Sequence, residues 1–174
     1  IGGENNSTQS SIIVPFPNDE TLFYIFTTRA VYNPSSDYVL SYSVVDIKEI
    51  GSGTDGEIVT KDKPLFEKTT ERLTATNPGG FVCLIAHELG NNTFRAYPIT
   101  DQGTGTPVLT SIGSVHDLNE ENAAQGYMKL STDGSRLAVA LSSGGTNYVE
   151  IFDFDGQTGT LSNYLQIELP DNNP

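Results

Sequence analysis

The stretch "STDGSRLAVAL", residues 131–141, decides the fold. It reads as a tight turn feeding a short strand whose side chains are alternately large and small. Successive strand residues point to opposite sides, so Leu137, Val139 and Leu141 share one face and Ala138 and Ala140 share the other. One copy of this pattern would define a hairpin; several copies define an architecture.

The pattern recurs. "LTATNPGGFVCLIA" (73–86) aligns with "MKLSTDGSRLAVAL" (128–141), and "IIVPFPNDETLFYIF" (12–26) is a looser copy with "PNDET" at the turn. Downstream of each copy come the strand-like runs "YSVVDI", "TFRAYPIT" and "YVEIFDFD", rich in β-branched and aromatic residues. Polar, glycine-bearing turns follow: "GSGTDGE", "DQGTGT" and "DGQTGT". The strand candidates "EIVTKDKPLF", "PVLTSIGSVHD" and "LSNYLQIELP" close the three units. The period is 55 residues, from Leu73 to Met128 or from Asn92 to Asn147.

Four strands per repeat at this spacing predict an all-β fold of about three four-stranded antiparallel blades, a partial β-propeller forming one domain over 1–174. The repeats run roughly over 7–68, 69–122 and 123–170. "FVCLIA" supports stacking because it is apolar on both faces, with Phe81, Cys83 and Ile85 opposing Val82, Leu84 and Ala86. The segment "HDLNEENAAQGYM" (116–128) is read as holding one short helical turn, with Asp117 as its N-cap. Closed propellers have about four to eight blades, so three leave two open faces and exposed apolar patches. The expectation is a piece of a longer propeller, with Ile1-Gly2-Gly3 and "ELPDNNP" read as cuts between blades. Self-association through the open faces, or an open stack, is the alternative.

Composition narrows the partners. A chain of 174 residues with 36% apolar content suffices for one core, and 17 glycines and nine prolines spread along it suit many turns. No apolar run approaches the roughly 20 residues of a membrane-spanning helix, so no membrane insertion is expected. The opening "IGGENNSTQSS" lacks a basic region, so any targeting segment is expected to have been removed or to lie outside the chain. A net charge of −13 repels phosphate backbones and argues against nucleic acid; it favours solubility, cations or basic partners. Cys83 is the sole cysteine, which excludes an internal disulfide and reads as a small buried strand residue rather than a nucleophile.

The blocks "NNSTQSSIIVP", "LFYIFT" and "LSYSVVDI", with "TTERLTA", "NTFRAY" and "GYMKLSTDGSRLAVA…NYVEIFDFD…TG", resemble the propeller-like N-terminal region of large secreted Bacteroidetes proteins. These are the gliding-motility-associated or PKD-domain proteins. The resemblance covers most of residues 6–170, and its "STQSSIIVP…YIFT" part is the more specific. The later blocks are shared with lactonase-like and YVTN-repeat propellers; the Trp-Asp mark of WD40 repeats is absent because the chain has no tryptophan. The resemblance implies a secreted or cell-surface protein with further domains downstream, and it carries no catalytic motif to map.

Candidate chemistry is sparse. A lactonase-like hydrolase would need His, Glu and Arg converging at the propeller mouth, and His87, Glu88, Arg95 and His116 are the loose candidates. Asp117, Asn119 and Glu121, and separately Asp153 and Asp155, space oxygen ligands as in half of a Ca²⁺ loop, without the Gly and late Glu that complete one. Ca²⁺ is therefore the one cofactor candidate, against the plainer reading of turns and solvated loops. "NAAQGY" and "SSGGTN" read as loops lining one end of the propeller. Tyr32, Tyr38 and Tyr42 suit either sugar stacking or blade packing. The expected role is a non-catalytic extracellular or cell-surface scaffold or adhesion module presenting loops to a protein or carbohydrate ligand. The alternative is part of a propeller hydrolase completed by further blades.

Overall fold

The computed structural model describes residues 2–31, 38–48, 56–76, 82–117, 119–120 and 122–170. Tyr32, Glu121, the turn at 77–81 with Phe81, and most of "GSGTDGE" lie outside the described residues. The described chain is all-β, with no helix. Its strands are β1 (Ser11–Pro15), β2 (Leu22–Thr27), β3 (Leu40–Asp46), β4 (Glu57–Phe66), β5 (Thr69–Thr76), β6 (Val82–Glu88) and β7 (Thr93–Thr100). They continue with β8 (Gly103–Thr104), β9 (Val108–Ser111), β10 (Met128–Leu130), β11 (Arg136–Ser143), β12 (Thr146–Asp155) and β13 (Thr160–Leu169). These form three antiparallel sheets: β1-β2-β3-β4, β5 to β9, and β10-β11-β12-β13.

Turn chemistry sets the hairpins. Between β10 and β11 the Asp133 carboxylate accepts from the Ser131 hydroxyl at 2.6 Å and from the Ser135 amide at 3.1 Å, while Gly134 takes φ 72°. These bonds hold the Asp133 carboxyl down to about 2, the Ser131 contact weighing most. The β1–β2 turn repeats the device, with Asp19 accepting from the Thr21 amide and hydroxyl, each at 2.9 Å. The middle sheet departs from four simple strands. Gly105 donates to the Pro98 carbonyl at 2.8 Å, and a side chain at Gly105 would sit 2.8 Å from Pro98 Cγ. Pro98 has no amide hydrogen to give the ladder there, and the edge departs from the reading in two ways: the "DQGTGT" taken as a turn contains the short β8, and the expected fourth strand "PVLTSIGSVHD" is shortened to β9. The described residues between 116 and 127 form turns and bends rather than a helix; Asp117 caps one turn by accepting from the Asn119 amide at 2.9 Å.

Two cores lie between the sheets. Val82, Leu84, Ala86, Tyr97 and Ile99 of the middle sheet pack on Tyr24, Phe26, Tyr42 and Val44 of the first. Cys83, Ile85, Phe94 and Ala96, on the opposite face, pack on Leu137, Val139, Leu141 and Phe152 of the third. Residues of β6 thus alternate between two cores, as a two-sided apolar strand requires. Each buried aliphatic side chain contributes about 1.5–3 kcal/mol, so the middle sheet binds both neighbours. Cys83 is 1% exposed and burial pushes its thiol up to about 12, which fits a packing role and not a nucleophilic one. Tyr42 is likewise a core residue, edge-on to Tyr24 at 5.5 Å, so the sugar-stacking alternative does not apply to it. No helix among the described residues is long and apolar enough to cross a membrane.

Candidate functional site

The period of two decides which candidate residues can meet. His87 follows Cys83 and Ile85 onto the face of β6 that meets the third sheet, where its ring stands edge-on to Phe94 at 4.5 Å. Glu88 and Arg95 go to the other face. There the Arg95 Nε donates to Glu88 Oε1 at 2.6 Å, and the guanidinium lies 4.7 Å above the Phe66 ring. The Asn91 amide donates to the second oxygen of Glu88 at 2.7 Å. This pair clamps the first sheet to the second and stands apart from both histidines.

His87 and His116 do come together. Their rings stack at 3.6 Å, and both residues are 0% exposed. His87 Nδ1 lies 2.6 Å from the Glu88 carbonyl and therefore carries the proton; His116 Nδ1 faces the Arg72 guanidinium at 3.4 Å and therefore accepts. Burial, then the charge of Arg72, pushes His87 down to about 3. His116 falls well below its ordinary value through burial, then His87 and Arg72. Both rings are shut off from solvent, His87 on β6 and His116 in the loop after β9, and the Nε2 atom of each is buried without a hydrogen-bond partner.

Arg72, unremarked in the sequence, is the centre of this cluster. It is 0% exposed on β5 and donates from Nε to the Ala140 carbonyl at 3.0 Å and from Nη1 to the Ala123 carbonyl at 2.8 Å. Nη2 donates to the Gln125 carbonyl. Burial lowers it to about 10, opposed by Glu150 and then Glu71, so it stays charged near neutrality. Glu71 accepts from the Thr8 amide at 2.6 Å and the Val31 amide at 2.9 Å, and Glu150 accepts from the Ser114 amide at 2.9 Å. These residues pin loops to the sheets, since a rigid five-donor fork can satisfy several carbonyls at once. No local signal in "TTERLTA" marks Arg72 as buried; only the tertiary positions of its carbonyl partners do.

The described acidic candidates do not assemble. Asp117 caps its own turn, with Asn119 donating to it from both amides at 2.9 Å. Asp153 pairs with Arg136 and accepts from Asn163 at 2.6 Å, whereas Asp155 accepts from the Gln157 and Thr158 amides. Among the described residues, no three potential ligands gather around a common point.

The loops read as lining one end do meet. Asn122 and Gln125 from "NAAQGY" and Ser142 and Asn147 from "SSGGTN" face a cleft of about 480 Å³, together with Thr8 and Tyr148. That volume lies within the range of small-ligand sites, about 300–1,000 Å³. The cleft wall is fixed from behind by Arg72, whose carbonyl partners at Gln125 and Ala140 belong to its lining. Gly126 holds φ 121°, and a side chain there would meet the Ala140 carbonyl oxygen at 2.7 Å. Thr8 ties the N-terminal segment in by accepting from the Gly126 amide at 3.0 Å. Comparison with protein-family models, curated proteins and solved structures finds no match to this chain.

Proposed function

We propose that the protein is a non-catalytic scaffold or adhesion module of an extracellular or cell-surface setting, with its three sheets acting as successive blades of a propeller. The observation that carries the binding reading is the cleft between the 122–126 and 142–147 segments. Its lining sets the Asn122, Gln125 and Asn147 amides and the Thr8 and Ser142 hydroxyls beside a larger apolar surface from Ala140, Leu141, Tyr148 and Leu169, and bears no charged side chain. A few neutral donors and acceptors beside an apolar and aromatic surface suit an uncharged ligand with both a hydroxylated edge and an apolar face, and a neutral glycan is the one we put to the test. The −13 charge also disfavours acidic ligands. The hydrolase reading finds less support, because His87 and His116 are sealed and Arg95 lies on the opposite face of the sheet.

The test is a neutral-glycan array followed by calorimetric titration of any hit. Asn147→Ala and Gln125→Ala are expected to weaken binding about tenfold or more each, equivalent to about 1.4 kcal/mol. Binding unchanged by both substitutions, or no glycan bound at all, would remove the cleft as the ligand site.

A further inference from the structure

The two buried histidine rings have no good place for an added proton. His87 Nδ1 gives its proton to the Glu88 carbonyl, so its Nε2 presents a lone pair; His116 Nδ1 accepts from Arg72, so its Nε2 carries the proton. Neither Nε2 atom has a partner, and an unpaired buried polar group is costly to the closed fold. A second proton could enter His116 only at Nδ1, against the Arg72 N–H that this atom accepts. A second proton on His87 would put a cation in a ring stacked at 3.6 Å on His116.

The surrounding charges do not relieve this. Arg72 on β5 faces both rings, while Glu150 and Tyr148 on β12 and Glu71 on β5 act on Arg72. Both carboxylates already serve backbone amides, Glu71 those of Thr8 and Val31 and Glu150 that of Ser114. Glu88 turns to Arg95 on the other face of β6, and Asp117 accepts from Asn119. The closed fold therefore refuses the proton, and acid favours any form in which the rings are exposed.

Lifting one segment exposes them. His116, Ala123 and Gln125 all belong to the connection between β9 and β10. It is tied to the sheets by the His116 amide on the Asn91 carbonyl at 3.0 Å, the Gly90 amide on the His116 carbonyl at 2.8 Å and the Glu71 amide on the Ala124 carbonyl at 3.0 Å. Arg72 holds it from beneath through the Ala123 and Gln125 carbonyls. The same connection supplies Asn122, Gln125 and Gly126 to the cleft. We propose that this connection is an acid-released latch: protonation of the His87–His116 pair frees it from Arg72, and the cleft that it completes comes apart. A segment held by polar contacts opens at lower cost than the two apolar cores. The inference rests on the cleft as the ligand site and supplies its regulation, with the ligand held near neutral pH and given up in acid.

The test is amide hydrogen exchange of the full chain by NMR between pH 7 and 5, corrected for the intrinsic exchange rate. The Glu71, Gly90, His116 and Gly126 amides report on the connection, and those of β6 and β11 on the cores. Below about pH 6.5 the opening constant of the connection is expected to rise about tenfold per pH unit for each proton taken up, while β6 and β11 keep their protection. His87→Asn and His116→Asn retain a donor for Glu88 and an acceptor for Arg72, so each should remove one proton from that dependence and the double variant should be flat. The wild type gives a second readout without any variant: at pH 7 its two imidazoles should be neutral, His87 protonated at Nδ1 and His116 at Nε2. Charged rings or the opposite tautomers at pH 7 overturn the inference. So does a connection whose protection ignores pH, is lost only together with β6 and β11, or stays acid-sensitive in the double variant. The readout needs no ligand, so a connection that opens in acid in a chain that binds no glycan upholds the latch and removes only the glycan reading.

Discussion

At the scale of single residues, the polar cluster behind the cleft joins loops to sheets through Arg72. Arg72→Met keeps the volume of the side chain but leaves the carbonyls of Ala123, Gln125 and Ala140 without their donor. Urea unfolding is expected to show a loss of about 3–5 kcal/mol, the cost of breaking a buried charged network. Arg72→Lys should recover little of it, since an ammonium cannot reproduce the fork. The histidines make a second prediction. Both are held neutral in the fold, so the unfolded chain binds more protons once pH drops below its ordinary histidine value of about 6.5. Stability is therefore full above that pH and declines below it, with His87 contributing down to about 3. Each histidine adds a slope of about 1.4 kcal/mol per pH unit. Unfolding curves between pH 8 and 5 should show the decline, and His116→Asn should roughly halve the slope; a flat profile would mean that the rings are not sealed.

At the scale of elements, the alternation along β6 can be tested directly. Leu84 and Ile85 are neighbours in sequence yet belong to different cores, each 0% exposed. Leu84→Ala and Ile85→Ala should each cost about 2–5 kcal/mol, whereas Leu165→Ala on the open face should cost under about 0.5 kcal/mol if the chain is studied as a monomer. Equal losses at all three sites would contradict the assignment of faces. Strand positions were largely legible in the sequence because a period of two and a turn acid are local signals, visible in "STDGSRLAVAL" and again in "FVCLIA". The short β8 inside "DQGTGT" and the shortening of the fourth strand to Val108–Ser111 were not, because they depend on Gly105 meeting Pro98, which has no amide hydrogen to donate, across the ladder. The site divides in the same way. "NAAQGY" and "SSGGTN" announce themselves as loops, and the cleft lies between them. Arg72, Glu71 and Glu150 carry no such mark, since a charged residue within a strand is ordinarily solvated, and their burial depends on loops arriving from remote parts of the chain.

At the scale of the whole molecule, the three sheets could unfold one by one, as stacked repeats do, or together. Several connections span the repeat boundaries. The middle sheet supplies residues to both cores, so losing it exposes each of them. Gln9 reaches from the N-terminal segment to β5 and β10 at once, donating as well to the Met128 carbonyl at 3.2 Å. The Thr8–Gly126 bond crosses the same distance in sequence, and Glu71 holds the Thr8 amide. These contacts couple the first repeat directly to the third, which nearest-neighbour stacking alone would not do. Calorimetry of the chain is therefore expected to show one transition, with calorimetric and van't Hoff enthalpies in agreement once the measured oligomeric state is included in the analysis. Gln9→Ala leaves the Leu73 and Met128 amides without their shared acceptor and should lower the melting temperature of that single transition by several degrees. Leu84→Ala and Leu137→Ala, in different cores, should also shift the whole transition rather than split it. Two resolved transitions, each sensitive to only one of these substitutions, would show that the sheets are stable separately and that the long-range polar contacts do not join them.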